Sequence, residues 1–278
     1  MHRQCASIFL AHEGCRVHVC DMSRRKFLTL VSGATLDACA AALPSPVATS
    51  NAGATPIRAV TFDLFTLFDP RGVDARVTEV LGNRPDFVAT WKTKLFDYSW
   101  LRAASGQYRD FQALVHDALV YATRAHAVEL SASAFGKLED AFTELQAWPD
   151  SKETLGNLRQ RGLKLATLAN FSPAMIRALV NRAGLADDFD ELISTDRAQT
   201  YKPDPRAYAL GESTLRLPRQ QIAFAAFGSW DAAGGRWFGF PTFWVNRFSQ
   251  PSEELVAPDS QGPDLAHLDR WLKDMPRG

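Results

Sequence analysis

Residues 59 to 69 read AVTFDLFTLFD, an apolar run that meets an aspartate and then, two positions on, an aromatic where a metal enzyme would want a second carboxylate. A short β-branched and aromatic run predicts a buried strand. An acid at its C-terminal end projects into the crevice where open parallel sheets bind ligands. Asp63 is therefore the first candidate for chemistry. A carboxylate in such a place also serves as a helix N-cap or closes a strand at the surface, so its reading depends on what the rest of the chain brings to the same edge.

The chain has 278 residues, enough for one or two globular domains with a real core. Lysine plus arginine and aspartate plus glutamate number 31 each, interspersed, so no basic groove for nucleic acid and no polybasic membrane patch is predicted. After the first 50 residues no apolar stretch reaches the length of a spanning helix, which argues against stable membrane insertion.

The beginning of the chain differs from the remainder. Residues 23 to 54, SRRKFLTLVSGATLDACAAALPSPVATSNAGA, look like a twin-arginine (Tat) export signal. Arg24 and Arg25 give the charged region, Phe27 to Leu43 the weakly hydrophobic segment, and Ala52-Gly53-Ala54 a cleavage site. Residues 1–54 are thus read as a leader, with use of the Tat machinery and a periplasmic location; without a working leader the protein is cytoplasmic. A disordered or wrongly translated extension is the competing reading: Asp37 interrupts the apolar segment, and Met22, one residue before the motif, is an alternative start that makes residues 1–21 a mis-start. All four cysteines (Cys5, Cys15, Cys20 and Cys39) fall in this leader, which excludes cysteine chemistry from the mature chain.

From Ile57 the pattern is strand, helical block, then alternating strand and helix. In the block, Phe111, Leu114, Val115, Ala118, Leu119 and Ala122 recur at three and four and predict one buried helical stripe. Further helices are predicted over 85–104 and 132–147, the second capped by Ser131. Asp150 with Glu153 reads as a capping box, Gly162 ends that helix, and Ser172-Pro173 opens another that Gly184 closes. LKLATLA, ELIST, IAFAAF and PTFWVN are strands, with helices over 205–216 and 231–238 between them. This punctuation implies an α/β fold with a parallel sheet and helices on both faces. The expected layout is a core of residues 55–73 and 149–278, with a helical cap of residues 74–148 inserted after the first strand and lying over the strand ends as a lid.

Right-handed crossovers bring the C-terminal ends of the strands to one edge. Asp63, Asn170, Lys202 (past the loop of the fourth strand) and Asp231 are placed there. A nucleophilic carboxylate, a lysine, an orienting amide and a second acid form a hydrolytic set. Each has a plain alternative: Asn170 as a turn residue, Lys202 as a solvated charge, Asp231 as an N-cap.

On FDLFTLFD, WKTKLFDYSWLR, LANFSPAMI, YKPDPRAY and SWDAAGGRWFGFPTFWVNR, the sequence resembles the haloacid dehalogenase (HAD) superfamily, and within it the type II L-2-haloacid dehalogenases, over residues 57 to 275. The resemblance implies a Rossmann-like core with a helical cap, no cofactor and no metal, a small-molecule substrate, and a homodimer, although no feature of the sequence shows the dimer. It also implies the roles. Asp63 attacks the halogen-bearing carbon and becomes an ester that water cleaves at the aspartyl carbonyl. Lys202 holds Asp63 ionised, while Asp231 and Asn170 position the water. Tyr208 matches a site tyrosine, Thr66 either the threonine or the glycine of the motif after the nucleophile, and Phe65, Phe96, Phe111 and Trp230 the pocket wall.

Phe65 stands where the phosphatases of the superfamily carry their proton-donating acid. Halide needs no proton to leave, and an apolar neighbour excludes water from the nucleophile. Departures from the family pattern fall inside the site. The segment after Asp63 is one residue short; the arginine that receives the substrate carboxylate is Lys92, with Arg102 the candidate to compensate; and Ala169, Ala226 and Gly228 replace hydrogen-bonding residues. The expected activity is displacement of halide from a small 2-halocarboxylic acid. The alternatives are another hydrolysis of the same superfamily, such as a phosphatase, and a catalytically silent exported binding protein.

Overall fold

The computed structural model describes residues 55–275. The expected leader and its cysteines lie outside the described residues. Among the described residues no helix is long and apolar enough to cross a membrane.

The strands are β1 (Ala59–Phe62), β2 (Lys164–Ala169), β3 (Glu191–Ser194), β4 (Ile222–Ala226), β5 (Thr242–Val245) and β6 (Ser260–Gly262), in the order β3-β2-β1-β4-β5-β6. Each neighbouring pair is parallel. In β1, β4 and β5 every residue is buried, as expected of strands covered on both faces. The order reverses between β1 and β4, so the crevice at the C-terminal ends of those two strands is the topological switch point where such sheets bind ligands. Asp63 immediately follows β1.

Between β1 and β2 the chain runs through six helices: α1 (Leu64–Leu67), α2 (Arg71–Leu81), α3 (Pro85–Ser105), α4 (Phe111–Ala125), α5 (Ala132–Asp140) and α6 (Ser151–Gln160). The helical stripe on α4 is buried at all six expected positions. The Ser131 side chain caps α5 by accepting from the Ala134 N–H at 3.2 Å. Two expectations need correction. The helix predicted over 132–147 stops at Asp140 and passes through a 3₁₀ turn at Ala141–Thr143, because Ala147 pairs with Phe68 and the Trp148 N–H donates to the Leu67 carbonyl at 2.9 Å. The chain is thereby pulled straight where it re-enters the core. The Asp150–Glu153 capping box does not form either. The Asp150 carboxylate instead accepts from Arg247 at 2.9 and 3.2 Å and from the Leu265 N–H at 2.9 Å.

The later helices are α7 (Pro173–Arg182), α8 (Pro205–Leu215), α9 (Ser229–Phe238) and α10 (Leu265–Asp274). Ser172 caps α7, and Gly162 and Gly184 take the positive φ of helix C-termini, at 78° and 65°. The sequence reading missed β6 and α10. A three-residue strand carries no periodicity, whereas α10 is plainly amphipathic, with Leu265, Leu268 and Leu272 buried three and four apart.

Arg247, just past β5, ties the layers together. Besides Asp150 it donates to the Thr66 carbonyl at 2.7 Å and lies 4.5 Å from the centre of the Trp148 ring. The Trp148 indole N–H in turn donates to the Phe65 carbonyl at 3.0 Å. The turn that follows β1 is thus held by one guanidinium. Arg247→Leu is expected to destabilise the protein by about 2 kcal/mol, the range of a lost hydrogen bond to a charged group, seen as a lower urea midpoint with unchanged slope.

Candidate active site

Asp63 is an N-cap, and it also stands at the switch-point crevice. Its carboxylate caps α1, with Oδ2 accepting from the Phe65 N–H at 3.0 Å, and its Oδ1 accepts from the Lys202 ammonium at 2.9 Å. Lys202 donates also to Asp231 Oδ2, at 2.6 Å, and so stands between the two acids. Lys202 and Asp231 side chains are each 1% exposed, and Asp63 is 16% exposed. Lys202 is reached through the loop after β3, not after a fourth strand, since only three strands precede it in the sheet. It is no solvated charge.

Asp231 is the third residue of α9, whose N-cap is Gly228. Its carboxylate is turned inward, accepting from Lys202 and, on Oδ1, from the Tyr208 hydroxyl at 2.7 Å. Burial raises its pKa, the Lys202 charge lowers it, and the nearby Asp63 charge raises it again; the outcome is about 6. Burial opposes the Lys202 charge, but the Asp231 and Asp63 carboxylates outweigh it and hold the ammonium above its ordinary range. Burial, followed by the negative field of Asp231, keeps the Tyr208 phenol protonated as a donor.

Asn170, at the end of β2, accepts on Oδ1 from the Lys202 backbone N–H at 2.9 Å and from the Thr195 hydroxyl at 3.3 Å. A backbone N–H is only a donor, so the amide oxygen must face it and the amide nitrogen faces the other way. Asn170 also lines the cavity. It is more than a turn residue, because it fixes the backbone from which Lys202 springs.

Above Asp63 opens a cavity of about 380 Å³. Phe65, Lys92, Phe96, Phe111, Asn170, Trp230 and Asp231 line it, as the sequence placed them. Thr66 and Tyr208 do not. The Thr66 hydroxyl donates to the Asp63 backbone carbonyl at 2.6 Å and its side chain is fully buried, so in the shortened turn it closes the first helical turn instead of facing substrate. Tyr208 lies behind Asp231, where Gly234 leaves room for it: a Cβ there would come within 2.2 Å of the hydroxyl. Arg102 bonds the Gln107 carbonyl and pairs with Asp117 on the outer face of α3 and α4, so it does not compensate at Lys92. Lys92 pairs with Asp74 on α2.

Of the departures, Ala169 and Ala226 are buried at strand ends. Gly228 has a positive reason: a Cβ there would lie 2.6 Å from the Trp230 indole nitrogen. The sequence reading missed the segment after β5, which brings Phe248, Gln250 and Glu253 to the cavity, with Glu253 accepting from the Ser229 hydroxyl at 2.9 Å. Irregular loops carry no periodic signal, and only the aromatic Phe248 among polar residues hinted at it.

Comparison with known proteins agrees with this geometry. The family model of haloacid dehalogenase-like hydrolases matches residues 57–239. The (S)-2-haloacid dehalogenase of Pseudomonas sp. (strain YL) is 42% identical over 210 residues, which cover 75% of this chain and 89% of that protein. A crystal structure of an L-2-haloacid dehalogenase superposes with a TM-score of 0.76 at 36% identity, covering 79% of this chain and 100% of that one. The L-2-haloacid dehalogenase from Xanthobacter autotrophicus with chloropropionic acid covalently bound gives a TM-score of 0.74 at 33% identity, with the same coverage. An acid at the switch point, a lysine shared with a second acid, and a family match across the whole stretch that carries them lead to one conclusion: the chain belongs to the haloacid dehalogenase-like hydrolases.

Proposed function

We propose that the protein is an (S)-2-haloacid dehalogenase that replaces halide by hydroxyl through an aspartyl ester on Asp63. The observation that carries this reading is the Asp63–Lys202–Asp231 set beneath an aromatic cavity, in a chain whose relatives of 32–42% identity include several named (S)-2-haloacid dehalogenases.

In the first step an Asp63 carboxylate oxygen attacks C2 of the substrate from the side opposite the halogen. The new carbon–oxygen bond forms as the carbon–halogen pair leaves with halide, and C2 inverts. Lys202 donates to Asp63 Oδ1 at 2.9 Å and so orients the attacking carboxylate. Whichever oxygen is alkylated, the other retains a donor, either the Lys202 ammonium or the Phe65 N–H. In the second step water adds to the Asp63 carboxyl carbon, and those same donors stabilise the oxyanion. Asn170 orients the water and Asp231 accepts its proton. Collapse breaks the bond to the substrate oxygen, which takes the proton of the added hydroxyl and leaves as the 2-hydroxy acid; Asp63 is regenerated as a carboxylate and Asp231 returns its proton to solvent.

Asp231 must be ionised to accept that proton, and its pKa lies at about 6. Acidification through this value therefore removes the base for ester hydrolysis. Turnover is expected to fall about tenfold per pH unit well below 6, with the ester accumulating. Rapid-mix halide measurement and intact-protein mass spectrometry follow both effects, and a pH-independent turnover down to pH 4 would remove Asp231 from this role.

The direct test is halide release from (S)-2-chloropropionate by the purified protein, without added metal, beside Asp63→Asn and an aryl phosphate control. The parent protein is expected to release halide and form the (R)-hydroxy acid, and Asp63→Asn to release none. Phosphate release instead would overturn the assignment.

Arg24 and Arg25 carry an accompanying proposal, export to the periplasm. Changing both to lysine is expected to leave the protein in the cytoplasm on cell fractionation; an unchanged distribution would reject the leader.

A further inference from the structure

We infer that the cavity above Asp63 is built for 2-halo acids that carry an aryl ring one carbon from the reacting centre, a refinement that rests on the dehalogenase reading above. The first reason is size. About 380 Å³ is the space of about a dozen waters at ~30 Å³ each. A three-carbon haloacid displaces only a few of them, and leaves the rest lying against apolar walls.

The second reason is the charge of the lining. Asp63 and Glu253 line the cavity with the buried Asp231 in its wall, and against these acids the only cation among the lining residues is Lys92. That cation is itself shared with Asp74. Lys202 lies behind the wall, already divided between two carboxylates. For a carboxylate the lining sets one shared cation and the neutral side chains of Ser99, Asn170, Ser229 and Gln250 against those acids. An apolar substituent adds binding that a small acid lacks.

The third reason is the form of the walls. Phe65 meets Phe171 and Phe227 edge to face, with ring centres 5.6 Å apart in both cases. Trp230 meets Phe96 at 5.8 Å with the planes at 78°. Phe96 and Phe248 line the cavity yet stay 36% and 40% exposed. The site thus offers a further ring both faces and edges, the arrangement aromatic pairs prefer. A rigid ring also loses less conformational freedom on binding than an alkyl chain of equal size.

The test compares kcat/KM of the full-length protein for (S)-2-chloro-3-phenylpropionate, 2-chlorohexanoate and (S)-2-chloropropionate. The methylene between the ring and the reacting carbon avoids benzylic activation, so an advantage of the aryl substrate reports binding and not intrinsic reactivity. The aryl substrate is expected to exceed chloropropionate at least tenfold, mainly through a lower KM, with the hexanoate between them. Phe248→Ala, at a partly exposed ring whose loss leaves the core intact, is expected to reduce the aryl-to-propionate ratio about tenfold. A ratio of one or less with chloropropionate still turned over would overturn the inference and leave the dehalogenase reading standing. Equal rates for hexanoate and the aryl substrate would overturn the choice of a ring, and an unchanged ratio in Phe248→Ala would overturn its place at the mouth. Halide release from none of the three would refute the underlying reading and this inference with it.

Discussion

The ammonium of Lys202, buried between Asp63 and Asp231, is the interaction on which the rest of the site depends. Removing three charges from water costs several kcal/mol per ion, offset only where geometry and hydrogen bonds are good. The protein meets that condition by arranging neighbours around each member. The Phe65 N–H serves Asp63, the Tyr208 hydroxyl serves Asp231, and the ring of Phe224 lies 5.2 Å from the ammonium. Asn170 anchors the backbone of Lys202 itself. The parallel sheet makes this affordable by bringing the ends of β1, β2 and β4, and the loop after β3, to one edge.

The turn after β1 shows how one short segment supplies two opposite needs. Its backbone N–H at Phe65 is a polar donor to the Asp63 carboxylate, while the Phe65 side chain lines the cavity as an apolar wall beside it. Displacement of halide gains from both, since a desolvated carboxylate attacks carbon faster and halide leaves without a proton. A carboxylate in place of that ring would add charge to a lining already rich in acids. Thr66, one residue on, is buried away from the cavity, and its hydroxyl holds the Asp63 carbonyl at the start of α1.

What was legible in the sequence has a physical pattern. Strands buried on both faces are runs of apolar residues, and handedness then fixes their common edge, so Asp63, Asn170, Lys202 and Asp231 were found together from sequence alone. The stripe on α4 and the caps at Ser131 and Ser172 were legible because they are local. The misses are pairings over long separations. Asp150 looked like half of a capping box until Arg247, 97 residues away, claimed it. Tyr208 looked like a ligand to substrate, but nothing local shows that Gly234 opens a recess for it behind Asp231. Lys92 read as the cation in place of the arginine that receives the substrate carboxylate, and its pairing with Asp74, on another helix, was not legible.

The raised pKa of Asp231 sets stability against activity. Its folded-state value of about 6 lies above the unfolded value of 3.8, so between these the folded state holds a proton that the unfolded state has released. Stability from this group therefore falls as pH rises from about 4 to 6, and above 6 the buried charge is carried at a cost. With Asp231 in the proposed role of base, turnover runs the other way, because only the ionised acid takes a proton from water. Arg247, by holding the turn after β1 through contacts distant from that titration, supplies stability that does not depend on the state of the site.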